Sequence, residues 1–150
     1  MRPLPEIQAA LKEHIAPEYL ATRKQGGSEL TYIPWHKAVE LLDIHAPGWQ
    51  WQITTLSVCG DRLVLIGRLT IPTAQGDLVR EATGTELLDC GSYGDPSSNA
   101  ESMAFRRAAA KFGLGLWLYD KATPAPATAS SKPATSRPPG WTPKWERARA

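Results

Sequence analysis

A chain of 150 residues, 42% of them hydrophobic, can bury one core, so one folded domain is expected. Its formal net charge of +2 is unevenly spread, because residues 1–120 hold 11 Lys and Arg against 14 Asp and Glu (net −3) and residues 121–150 hold 6 against 1 (net +5). Cys59 and Cys90 are too few for a disulfide scaffold or a zinc site, the three histidines lack metal-ligand spacing, and no apolar run would span a bilayer, so a soluble, unsecreted protein without a cofactor is expected.

In chain order, Ile7, Ala10, Leu11 and Ile15 recur at helical spacing and predict a short amphipathic helix over residues 5–15 that covers the core. Tyr19 to Thr22 reads as extended, Lys24 to Ser28 as a turn and Leu30 to Ile33 as β-prone, which makes a hairpin. Pro34 suits the first turn of a second helix, whose apolar face is Trp35, Ala38, Val39, Leu41 and Leu42 and which Pro47-Gly48 stops. Trp49, Trp51 and Ile53 alternate, then Leu56 and Val58 continue in the opposite phase, so a strand with a bulge at Thr54-Thr55 is expected. Leu63, Leu65, Gly67, Leu69 and Ile71 form one face of a long strand, and Leu78 to Leu88 closes an antiparallel meander of three.

The next stretch is a basic helix. Ser98 and Glu101 have the spacing of a capping box, Ala100 to Lys111 is rich in helix formers, and Gly113 stands where a left-handed residue ends a helix. Phe105, Ala109 and Phe112 share one stripe, and Arg107 and Lys111 share another. The alanines at 108, 109 and 110 allow close approach to a sheet, while Arg106 and Arg107 offer rigid cationic forks that suit phosphate. The fold class is therefore α+β: a three-stranded antiparallel meander packed by a basic helix, a β-β-β-α core with N-terminal helices.

The run Ala100, Ser102, Phe105, Arg106, Arg107, Ala108, Phe112, Gly113 resembles the signature helix of the Rad-fifty-two (Rad-twenty-two) family of single-strand annealing proteins, which includes bacterial DdrA-like members. A second patch agrees with it: Pro17-Glu18-Tyr19-Leu20 with Arg23, then Gly26-Gly27, then Tyr32-Ile33 with His36. The resemblance covers roughly residues 17–121. It implies subunits assembled side by side into a high-order ring, whose basic groove holds single-stranded DNA by its backbone while complementary bases meet without ATP, in recombination and double-strand break repair. The sparse cysteines make a cytoplasmic setting the expectation, nucleoid-associated if the host is bacterial.

By that resemblance Arg106, Arg107 and Arg23 are the leading DNA contacts; Lys24, Lys37 and Lys111 are nearby cations that either join this site or are ordinary surface lysines. The position three after Arg107, often basic in the family, is Ala110 here, with Lys111 beside it. Tyr32, Trp35 and Trp117 are aromatics able to stack on bases, but aromatics at such spacing are more often core, and they stay outside the expected site. A catalytic reading finds no phosphate-binding loop of the G-x-x-x-x-G-K-[ST] kind, and Glu81, Glu86 and Asp89 lack the lysine that a magnesium nuclease core requires, so no enzyme is expected.

The expected annealing core is residues 1–121. The segment 122–150 is rich in Pro, Ala, Ser and Thr, has no apolar periodicity, and reads as a disordered basic tail. It carries Trp141 and Trp145 among Lys144, Arg147 and Arg149. This supports an alternative function: an adaptor whose tail recruits a single-strand DNA binding protein or a recombinase.

Overall fold

The computed structural model describes residues 1–120 apart from Tyr93, so the expected tail lies outside the described residues. Its framework is an antiparallel sheet in the order β3 (Gln50–Cys59), β4 (Arg62–Thr73), β5 (Gly76–Leu87), with helix α3 (Pro96–Phe112) across one face. Helices α1 (Leu4–Lys12) and α2 (Trp35–His45) and a separate hairpin, β1 (Ala21–Gln25) with β2 (Ser28–Tyr32), complete the α+β fold expected from the sequence.

Strand β4 supplies the centre because its alternating residues are buried: Leu65, Leu69 and Ile71 are at most 1% exposed. The register of β3 against β4 shifts between Ile53 and Thr55, the bulge expected there. That extra residue keeps Trp51, Ile53, Leu56 and Val58 on the face of Leu69, Gly67, Leu65 and Leu63, their partners across the ladder. Ile7 and Leu11 of α1, Leu41 and Leu42 of α2, and Phe105 and Phe112 of α3 fill the rest of the core. Phe112 is fully enclosed. Phe112→Ala should therefore cost about 3–5 kcal/mol through lost burial and an unfilled cavity, measurable as a lower urea midpoint at unchanged slope.

The start of α3 differs from the expected capping box at Ser98 and Glu101. Asp95 is the N-cap: its carboxylate accepts the Ser98 backbone N–H at 2.8 Å and the Ser97 and Ser98 hydroxyls at 2.8 Å each. The Ser98 N–H, followed by the two hydroxyls, holds this carboxyl below its ordinary pKa. Pro96 occupies the first helical turn, where its missing N–H costs nothing, and this fixes the helix start ahead of Ser98. Glu101 instead accepts the Trp51 indole N–H at 3.0 Å and ties helix to sheet. The helix ends at Gly113, φ 121°, as expected.

Two other boundaries move. The hairpin turns on Gly26-Gly27 alone, φ 59° and 80°, so both strands run further than a five-residue turn would allow. Helix α1 stops at Lys12, and Ile15 reaches the core from the connection that follows. Trp35, expected on the apolar face of α2, is 55% exposed in the first turn, whereas Ala38, Leu41 and Leu42 of that helix are buried and Val39 packs partly buried against the core.

Candidate nucleic-acid interface

Side chains alternate along the hairpin, and the register sets Arg23 opposite Leu30 and Ala21 opposite Tyr32. Arg23 and Tyr32 are thus diagonal neighbours, and the Arg23 guanidinium lies over the Tyr32 ring, 5.2 Å from its centroid. Helix α3 brings a second cation to the same ring: the Arg106 guanidinium is 5.3 Å from the centroid. Each contact contributes about 0.5–1 kcal/mol at an accessible site, enough to bias the position of a long side chain.

The space between hairpin and helix is a cavity of about 180 Å³. Arg23, Arg106 and Arg107 supply its charge, and Leu30, Tyr32 and Tyr119 are among its apolar lining. None of the three guanidiniums forms an ion pair with a carboxylate among the described residues. Burial is the main force lowering the Arg106 pKa from its ordinary value; Arg23 and Arg107 push the same way, while Tyr119 and Tyr32 oppose them. An anion placed among these groups relieves that repulsion. Arg106 Nε also donates to the Ser102 carbonyl at 3.1 Å, which fixes the fork from behind.

Arg107 and Lys111 share a helix stripe, as the sequence indicates, and the stripe runs along β5. Arg107 Nη1 donates to the Thr83 carbonyl at 3.2 Å, and Lys111 Nζ donates to the Glu81 carbonyl. Both acceptors belong to an outer strand of the sheet, so these cations cover backbone groups that an edge otherwise leaves open.

A family model described as a Rad52/22 family double-strand break repair protein matches residues 4–136. The chain belongs to this family. Membership gives this Rad52/22 protein a role in DNA repair and recombination. It is 40% identical over 120 residues to the DNA repair RAD52-like protein 1, mitochondrial, of Arabidopsis thaliana, an alignment covering 79% of this chain and 68% of that one. It is 34% identical over 122 residues to the RAD52-like protein 2, chloroplastic, of the same plant, covering 79% of this chain and 61% of that one. Those names put the relatives in organelles and lend nothing to a cytoplasmic or nucleoid setting. Among the described residues no helix is long and apolar enough to cross a membrane.

Of the six site residues expected from the sequence, the fold brings together Arg23, Arg106 and Arg107 and leaves the three lysines outside the cavity lining. Lys24 is exposed on the hairpin, paired in register with Glu29. Lys37 bonds Glu40 of its own helix at 3.2 Å and lies over Tyr19. Lys111 is drawn to β5. The acids considered for a metal are not gathered either: Glu81 pairs with Arg68 at 2.8 Å, Glu86 accepts from Asn99, and no group of three or more potential ligands occurs among the described residues.

The cavity also uses Tyr32 and Tyr119, which are not among the site residues expected from the sequence. Tyr32 is an aromatic of the second motif whose sequence suggests stacking on bases, whereas in the structure two arginines lie over its ring. Tyr119 gave no signal, because it lies in a short 3-10 turn, Leu116–Tyr119, that no periodicity announces.

Proposed function

We propose that this Rad52/22 protein binds single-stranded DNA by its phosphates in the Arg23–Arg106–Arg107 groove and anneals complementary strands without a nucleotide cofactor. The observation that carries this reading is the convergence of three guanidiniums, from a hairpin and a helix more than 80 residues apart, on one cavity, none of them ion-paired to a carboxylate among the described residues. Phosphates of one strand replace the missing counter-charges, and neutralising them removes the repulsion that a second strand meets. Base pairing then reads the sequence, so the protein needs neither base specificity nor a catalytic group.

One groove holds little DNA, and several copies side by side extend it. The sheet supports such assembly at its β3 side. Ile53, Leu56 and Val58 face the helix side of the sheet yet are 43%, 57% and 59% exposed, beyond the cover of α3. The other outer strand, β5, already has the carbonyls of Glu81 and Thr83 capped, so β3 is the edge where a neighbouring copy finds both apolar surface and open backbone. We read this as the seam of a high-order ring.

The test is strand annealing followed by fluorescence transfer between labelled complementary oligonucleotides, with no nucleotide or metal added. The expected result is pairing faster with protein than without, strongest at low salt and indifferent to base composition. Pairing at the uncatalysed rate across the salt range would rule the reading out.

A further inference from the structure

We infer that Tyr119 receives a base of the bound strand, so that each subunit anchors one nucleotide by stacking as well as by its phosphate. This rests on the groove reading above. The cavity has two chemistries. Its guanidiniums account for phosphate, but Leu30 and Tyr119 at the same cavity are 40% and 57% exposed and remain wet if only phosphate enters. The part of a nucleotide that buries apolar and aromatic surface is the base, whose face stacks on an aromatic ring whatever its identity.

Tyr32, Trp117 and Trp35 are not available for this. The Tyr32 ring already carries the Arg23 and Arg106 guanidiniums. Trp117 packs into the core and against the His14 ring, 4.8 Å between centroids. Trp35 is exposed but does not line the cavity. Tyr119 has no ring or cation contact of its own among the described residues, and it lines the same cavity as Arg106. The phosphate anchor and the stacking surface are thus neighbours, as the phosphate and base of one nucleotide are.

The experiment measures affinity of the full chain for a short single-stranded oligonucleotide and for an abasic strand of equal length, across a salt series. Tyr119→Ala is expected to weaken binding of the normal strand about fivefold to tenfold, to leave the slope of log affinity against log salt unchanged, and to leave abasic binding unchanged. Tyr119→Phe should bind like the parent. An equal loss on both strands, a changed salt slope, or no loss at all overturns the inference. Should Tyr119→Ala melt early, Tyr119→Leu, which keeps the apolar bulk but not the flat ring, must show the same strand-selective loss. Arg106→Ala separates the two levels of argument. If it weakens both strands while Tyr119→Ala does nothing, the groove stands without the stack; if it binds both as the parent does, the groove reading itself has failed.

Discussion

Arg106→Ala is expected to weaken single-stranded DNA binding by about tenfold to a hundredfold, the loss of one charge-assisted contact of about 1.5–3 kcal/mol. It should also flatten the slope of log affinity against log salt by about 0.7, the value for one single-strand phosphate contact. Arg107→Ala should give the same flattening with a smaller loss of affinity, because Arg107 already donates to the Thr83 carbonyl and its fork is only partly free for DNA. The two residues are next to each other in sequence, yet their surroundings differ. Arg106 is half-buried over Tyr32, with its pKa lowered mainly by burial, whereas Arg107 is exposed. A guanidinium held among other cations gains more from an arriving phosphate than one in water. Arg106→Lys should recover the salt slope but not the full affinity, since an ammonium restores charge without the planar fork or its stacking on Tyr32. Fluorescence anisotropy over a range of salt measures all three variants. If both alanine variants stay folded and bind like the parent, these arginines serve only the hairpin and the sheet edge.

The parts of the molecule legible in the sequence are those that local periodicity controls. The β3 bulge was visible because Ile53 and Leu56 change phase, and a one-residue slip moves every later side chain to the other face. The stop of α3 at Gly113 was visible because few residues other than glycine adopt φ 121°. The start of α3 is less legible because Asp95 and Ser98 are both good caps, and only Pro96 between them decides. At the site, family resemblance singled out Arg23, Arg106 and Arg107, but no local pattern says that a hairpin strand and a distant helix share one aromatic ring. The lysines illustrate the converse. Lys111 sits one residue from Ala110 and looks like a replacement cation, yet one step along a helix is a rotation of about 100°, which turns its ammonium to the Glu81 carbonyl.

Gly84→Ala should be the most damaging single methyl group in the chain. Gly84 lies on the helix side of β5, and a Cβ added there would stand 1.8 Å from the Ala100 carbonyl oxygen, 2.8 Å from its carbon and 2.9 Å from the Ala104 backbone nitrogen. Every one of these atoms is helix backbone, so no side chain can rotate away and α3 must lift from the sheet as a body. Lifting it separates Ala100 and Ala104 from Leu63 and Leu65, with which they form a buried cluster, and strains the Arg107 bond to Thr83, the residue next to Gly84. Overpacking typically costs 1–3 kcal/mol, and a contact with rigid backbone belongs at or above the upper end, a drop in Tm on the order of 10 °C for a domain of this size. The same movement carries Arg106 away from Tyr32, so DNA affinity should fall even at temperatures where the variant is folded. Ala100→Gly added to Gly84→Ala is expected to rescue neither property, because it removes a side chain and the obstruction is a carbonyl. Thermal melting and DNA titration of the two variants check this. A parent-like Tm for Gly84→Ala, or full rescue by Ala100→Gly, would mean that α3 does not rest on β5 at the distance described, and the groove it forms with the hairpin would have to be redrawn.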